Sequence, residues 1–372
     1  MKVLYLTNMP APYRIDFFNE LGKKCDLTVL FEKKFGSHRN KEWLSKESAN
    51  FNSIFLKGIK IGHEQVICFS VKEYLNSELY DVIVIGGYST PTGMFAIKYC
   101  KNHNIPFILN ADGGMIGSDK IIKRVIKNYF IGSANAWLST GRTTSEYLKH
   151  YGAVEEKIYI YPFTSIKKEN IVHVNQIQKE KLKEKLKISN RPTVISVGSF
   201  IYRKGFDTLI KAWKVLDNDY NLIIIGGGER KAELEKLISD MSLKNVKLME
   251  FLPSEKLSEF YQASDLFVLP TRQDIWGLVI NEAMANSLPV ITTENCVAGI
   301  ELLSENGFIV PVDDSEMLTD RALDILKNEN LRIKMSEKSL ELIKAYTIEN
   351  MAKIHINIFK NYKDNKLDSI SK

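Results

Sequence analysis

Short apolar runs rich in Val, Ile and Leu recur along the whole chain, separated by longer stretches whose hydrophobic positions fall at helical spacing. In the first half the pattern predicts strands at 3–7, 27–31, 81–85, 107–110, 136–139 and 157–160, with helices at 13–21, 92–101 and 142–150. In the second half it predicts strands at 193–197, 222–225, 246–249, 266–269, 290–292 and 307–310, with helices at 205–216, 230–240, 254–262 and 278–285. Short β-branched strands alternating with helices indicate an α/β protein built on parallel, doubly wound sheets. The alternation occurs twice, so two Rossmann-like domains are expected. Between them, 167–190 has no long apolar strand, and its run 178–188 reads as a charged helix. Residues 332–361 read as helix again, with a polar tail from Asp364 expected to fray. The predicted boundaries are 1–165, a linker and domain start at 166–190, a second domain at 191–345, and a final helix at 346–372.

A chain of 372 residues can bury two cores, and 44% hydrophobic with 26% charged residues is ordinary for a globular protein. Its apolar runs are strand-sized and too short to cross a bilayer. The first residues lead directly into a strand, which is not a signal-peptide pattern. Cys25, Cys68, Cys100 and Cys296 form no Cys-x-x-Cys pair, so buried thiols in a reducing cytoplasm are expected. The histidines show no metal-ligand spacing, and no metal site is predicted. Charge is uneven: residues 1–170 hold 23 Lys/Arg against 16 Asp/Glu, and the remainder 28 against 29. The basic half suits an anionic partner, although a merely soluble surface would look similar.

The predicted strand 265–270 runs into Thr271-Arg272-Gln273-Asp274-Ile275-Trp276-Gly277-Leu278, and a helix opens there that carries Glu282. Open α/β sheets bind ligands at the carboxyl ends of their strands. The free N–H groups of a helix start suit a phosphate or a sugar hydroxyl. A second motif, Gly198-Ser199-Phe200-Ile201-Tyr202-Arg203-Lys204-Gly205, sets two cations before a helix. The helix dipole disfavours cations there, so a diphosphate between them is the better reading than a solvated pair. It is not a Walker loop, because no Gly-Lys-Ser/Thr follows the glycine. Gly226, Gly227 and Gly228 form a strand-to-helix turn, either near a nucleotide or simply requiring positive φ. They lack the Gly-x-Gly-x-x-Gly spacing of a dinucleotide site.

In the first half, Asp112 follows a predicted strand, as do Pro12, Tyr13 and Arg14 after the first strand, and Gly87 and Tyr88 after the third. Arg14 is a candidate for an acceptor phosphate or an ordinary surface arginine. The stretch 119–130 is basic and amphipathic. It reads either as a domain helix with a charged outer face or as a helix lying on an anionic membrane. No nucleic-acid module is recognisable.

Asp274 and Glu282, with seven residues between them, resemble the acidic donor-binding motif of retaining glycosyltransferases of family 4 (glycosyl transferases group 1). That family usually has Glu where Asp274 stands and Phe where Trp276 stands. The resemblance implies a GT-B fold, two Rossmann-like domains facing across a cleft, with the last helix returning to the first domain. It implies a metal-independent, retaining hexosyltransferase of bacterial polysaccharide synthesis, with no cofactor beyond its substrate, a UDP- or GDP-linked sugar. Arg203 and Lys204 would hold the donor diphosphate, Asp274 the sugar hydroxyls and Glu282 the ribose. Gly198, Ser199, Gly226, Gly227, Ile275, Trp276, Gly277 and Leu278 would line the donor pocket. Pro12, Tyr13, Arg14, Gly87 and Tyr88 would face a glycan or lipid-linked acceptor. Many members have a catalytic-site His where Asp112 lies. Asp112 either replaces it or orders the turn. The expected location is cytoplasmic, peripheral on the inner membrane face if the basic helix binds lipid. The alternatives are a nucleotide-binding oxidoreductase or epimerase, and a non-catalytic partner subunit with the same fold.

Overall fold

A computed structural model describes residues 1–34, 48–61 and 65–370 of the chain, with side chains to residue 364. It separates into two compact units, Met1–Ser165 with Thr347–Lys372, and Ile166–Tyr346.

The first unit contains β1 (Lys2–Thr7), α1 (Pro12–Gly22), β2 (Asp26–Phe31), β3 (Asn52–Phe55), β4 (Ile59–Ile61), β5 (Gln65–Ile67), β6 (Val82–Ile85), α2 (Pro91–Asn102), β7 (Ile108–Ala111), α3 (Ile121–Ile131), β8 (Ala136–Ser139), α4 (Arg142–His150) and β9 (Ile158–Ile160). Among the described residues its main sheet runs β3-β2-β1-β6-β7-β8-β9, parallel throughout. The order reverses beside β1, so the loops after β1 and β6 flank the switch point. The sequence pattern missed β3, a half-exposed edge strand, and the antiparallel pair β4–β5. Neither has the continuous apolar run that burial on both faces demands of a central strand.

The second unit contains α5 (Gln176–Lys185), β10 (Thr193–Val197), α6 (Phe206–Leu216), β11 (Asn221–Ile225), α7 (Lys231–Asp240), β12 (Val246–Met249), α8 (Ser254–Gln262), β13 (Leu266–Leu269), α9 (Leu278–Ala285), β14 (Val290–Thr293), α10 (Val297–Leu302), β15 (Gly307–Val310), α11 (Ser315–Lys327) and α12 (Glu329–Ile343). Its parallel sheet runs β12-β11-β10-β13-β14-β15, with the reversal between β10 and β13. Both central strands are buried along their whole length, as their unbroken apolar runs require. The charged helix α5 is no free linker. An Asn175–Gln178 capping box starts it, and Lys179 and Lys183 bind Asp265 at 2.7 and 2.9 Å.

The helix expected over 332–361 is two helices. Backbone turns end α12, and the Thr347 hydroxyl accepts the Asn350 N–H at 3.3 Å to start α13 (Ile348–Ile370). That break is where the chain returns to the first unit. There α13 packs on α1, with the His355 and Phe17 rings 4.7 Å apart. The tail expected to fray from Asp364 stays helical to Ile370; residues 371–372 lie outside the described residues.

Candidate active site

In the second unit, three loops leave the carboxyl ends of the adjacent strands β11, β10 and β13. The loop after β10 carries Gly198 and Ser199, then a single 3-10 turn, Tyr202–Lys204, and Gly205. Gly205 adopts φ 67°, and a Cβ there would lie 2.0 Å from the Pro270 carbonyl oxygen. Only glycine lets this turn approach the β13 loop so closely. The Thr271 hydroxyl and the Arg272 N–H then donate to the Arg203 carbonyl at 3.0 and 2.8 Å, tying the two loops together.

This junction brings Asp274 to both cations. Lys204 Nζ lies 2.5 Å from Asp274 Oδ2, and an Arg203 guanidinium nitrogen lies 3.3 Å from Oδ1. Arg203 also donates to the Gln273 carbonyl at 2.6 Å. Asp274 is 8% exposed and Lys204 9%, while Arg203 is open to solvent. Two cations against one carboxylate leave about one net positive charge, to which the N-terminus of α9 adds roughly half a unit. The cluster is therefore suited to an anion. Gly277 caps α9 at φ 106°, a left-handed position that suits glycine.

Other expected residues occupy different places. Trp276 does not line an open pocket: it is 2% exposed, and its indole N–H donates to Asn281 at 3.0 Å. A large apolar ring next to a tight turn gains more from burial than from solvent, so it anchors the loop from beneath. Ile275 is exposed and Leu278 half-buried. Gly226 and Gly227 are buried, and a Cβ on Gly226 would strike the Gly198 carbonyl oxygen at 1.8 Å. Of the three turn glycines, Gly228 takes positive φ. Gly226 allows close packing against the β10 loop, and Gly227 against Phe251 after β12. Glu282 is half-buried and accepts the Tyr261 phenol at 3.2 Å. Burial, and next the charge of Glu282, push that phenol well above its ordinary pKa, so it remains a donor.

Two residues of this unit escaped the sequence reading. Tyr261 lies on α8, with nothing local to mark it. Arg272 stands inside the 271–278 motif but was given no role. Its guanidinium makes a fork to Asp207 at 2.7 and 3.0 Å, reaches Asp313 at 3.0 Å and the Tyr202 carbonyl at 2.7 Å, and lies 4.0 Å over the Tyr202 ring. Burial alone would raise the Asp207 pKa, but these bonds outweigh it and hold the carboxyl below its usual value. The turn bearing Arg203 and Lys204 is thus clamped from one side by Arg272 and from the other by the Asp274 loop.

In the first unit, Arg14 is not a surface residue. It is buried and ion-paired with Asp112. The other Asp112 oxygen accepts from Asn110 at 2.8 Å and from Tyr161 at 3.3 Å. Asp112 is thereby committed to three partners and orders its turn. A free base in the place of the family's His is not what the geometry provides. Behind it His355, from α13, lies 4.5 Å from the Tyr161 ring, with Nδ1 on the Met351 carbonyl and Nε2 buried without a partner. Pro12 and Tyr13 are half-buried, with Tyr13 edge-on to Phe163 at 5.8 Å. Gly87 is half-buried beside Thr90, and the Tyr88 hydroxyl bonds that of Tyr147 at 2.6 Å. Glu32, also unforeseen, is buried at the end of β2 and accepts from Thr90 at 2.7 Å. Burial raises its pKa.

With this geometry in hand, residues 178–341 match the glycosyl transferases group 1 family. An uncharacterised glycosyltransferase of Haemophilus influenzae is 34% identical over 177 residues, which is 45% of this chain and 49% of the relative. The amylovoran biosynthesis glycosyltransferase AmsD of Erwinia amylovora is 30% identical over 141 residues, 37% of this chain and 40% of the relative. The chain thus spans about half or less of the length of these curated relatives. Among solved structures, the Anabaena protein HepE in complex with UDP superposes with a TM-score of 0.77 at 16% identity, covering 99% of this chain and all of its own. The segment belongs to the glycosyl transferases group 1 family, and the chain has the GT-B fold that its acidic motif and Arg-Lys loop implied.

Proposed function

We propose that the protein is a retaining glycosyltransferase that moves a sugar from a UDP- or GDP-linked donor to a hydroxyl of a glycan or lipid-linked acceptor in cell-surface polysaccharide synthesis. The observation that carries this reading is the Arg203–Lys204–Asp274 cluster at the sheet's switch point, beside the N-terminus of α9. Lys204 has three donors and spends one on Asp274, so it can bind a phosphate oxygen without leaving its carboxylate. Arg203 is exposed and can turn a second fork toward the same group. Glu282, steadied by Tyr261, would accept from the ribose diol. Arg203 and Lys204 would stabilise the charge that grows on the leaving diphosphate. The sugar–phosphate bond breaks as the acceptor oxygen bonds to the anomeric carbon on the same face. The departing phosphate oxygen takes the acceptor proton. No divalent metal is required in this scheme, because the two side chains supply its charge. HepE, in complex with UDP, supports a uridine diphosphate donor. AmsD, named for amylovoran biosynthesis, supports a polysaccharide product.

The test is transfer from a panel of UDP- and GDP-sugars, with product anomers read by NMR. Arg203→Ala and Lys204→Ala should each lose on the order of 10²-fold in rate, product configuration should be retained, and EDTA should leave the rate unchanged. Rates within about threefold of wild type in both variants, against a loss of this order, would remove the diphosphate assignment. An inverted product would remove the retaining one.

A further inference from the structure

Helix α3 packs inward through Lys127, Phe130 and Ile131. Lys127 is half-buried, ion-paired with Asp119 at 2.7 Å and set over the rings of Tyr147 and Tyr151 at 5.0 and 4.5 Å. Ile131 is fully buried, and the Trp137 indole donates to its carbonyl at 2.8 Å. The opposite face is apolar and open to solvent. Ile121 is 82% exposed, Ile122 75%, Val125 61%, Ile126 44% and Tyr129 38%. At 3.6 residues per turn these five occupy an arc of about 140°. Lys123 borders the arc on one side and Arg124 on the other, and Lys120 stands exposed before the first turn. The segment 119–131 has four cations against one acid. In a domain helix whose outer face is only charged, these five apolar residues would be covered.

We infer that α3 docks the first unit on an anionic lipid bilayer, with the Ile121, Ile122 and Val125 face entering the headgroup boundary and Lys120, Lys123 and Arg124 meeting the lipid phosphates. Charge complementarity decides the occupant. A second copy placed symmetrically on this face would bring the same cations against each other, whereas an anionic surface neutralises them. An apolar arc bordered by cations on both sides is also the pattern of helices that lie in a membrane interface. The inference goes beyond sugar transfer and is tested without a donor, so the two can fail separately.

The experiment is co-sedimentation of the full chain with vesicles of phosphatidylcholine alone or mixed with phosphatidylglycerol. The wild type should sediment with the mixed vesicles at low salt, and be released as salt rises. The double variant Ile122→Ser with Val125→Ser should lose about tenfold or more of that partitioning. Arg124→Glu should also weaken it. Because these side chains are exposed, thermal unfolding should not change, which separates lost docking from lost folding. Equal sedimentation with both vesicle types, or a serine variant that sediments like wild type, would overturn the inference. So would light scattering that shows a dimer abolished by the serine variant while vesicles are ignored.

Discussion

Asp274→Asn separates a carboxylate that touches the substrate from one that holds the cations. In the folded chain Asp274 is buried and in contact with Lys204 at 2.5 Å and Arg203 at 3.3 Å. Removing one partner of a buried ion pair typically costs about 3–5 kcal/mol, because the remaining charge is stranded. Asparagine keeps an acceptor oxygen for Lys204, and Arg203 is exposed enough to be resolvated, so a smaller loss, about 2–3 kcal/mol, is expected. For a unit of this size that lowers Tm by roughly 5–10 °C. A double-mutant cycle with Lys204→Met isolates the pair, and its coupling should exceed about 1 kcal/mol. The variant also gains an assay that the wild type lacks. A diphosphate offers the stranded Lys204 a new anion, so saturating nucleotide diphosphate should raise Tm more in Asp274→Asn than in wild type. Differential scanning fluorimetry reads both quantities. If the variant melts within about a degree of wild type, where several degrees are expected, Lys204 is not held by Asp274. Asp274 would then be free to serve the donor sugar directly.

Three further outcomes follow from the same coordinates. Arg272→Ala should loosen the Tyr202–Lys204 turn and lower kcat by about tenfold to a hundredfold with a smaller change in KM; steady-state kinetics checks it, and an unchanged kcat would leave Arg272 a purely structural clamp. Gly205→Ala forces a Cβ against the Pro270 carbonyl at positive φ, and should cost at least about 2 kcal/mol by thermal unfolding. His355 is buried, and burial lowers its pKa to about 4, with the Met351 carbonyl and the Asp112 charge opposing only in part. The unfolded chain takes up that proton near pH 6.5 while the folded chain resists until about 4, so unfolding gains a proton and stability falls as the pH drops through that window. The loss is on the order of 3 kcal/mol; in His355→Phe the unfolding free energy should decline less between pH 7 and 4, and parallel curves would refute it.

The central strands were legible because both faces of a parallel sheet are buried, which writes unbroken Val, Ile and Leu runs into the sequence. The loops after β10 and β13 were legible for a different reason. Each pairs a glycine at positive φ with charged residues that local structure alone would not choose. What sequence reading could not give was pairing at a distance. Lys204 and Asp274 are 70 positions apart, and Arg14 and Asp112 are 98 apart. The first pair turned a sugar-binding acid into a partner of two cations. The second tied Arg14, an acceptor-side candidate, to Asp112, the candidate for the place of the family's His. Trp276 was misread because a Trp beside a glycine looks the same on paper whether it faces a ligand or the core. The basic helix stayed open between two readings because its periodicity gives two faces and does not say which one the domain covers.

The most direct test of the central claim is isothermal titration of the full chain with UDP and with GDP, beside Arg203→Ala and Lys204→Ala. The account predicts that one of the two nucleotides binds to the wild type without added metal. Each variant should weaken that binding by about tenfold or more, as expected for the loss of a charge-assisted contact. If neither nucleotide binds, or if both variants bind as tightly as wild type, the Arg203–Lys204–Asp274 cluster is a structural ion pair and the site proposed around it is wrong.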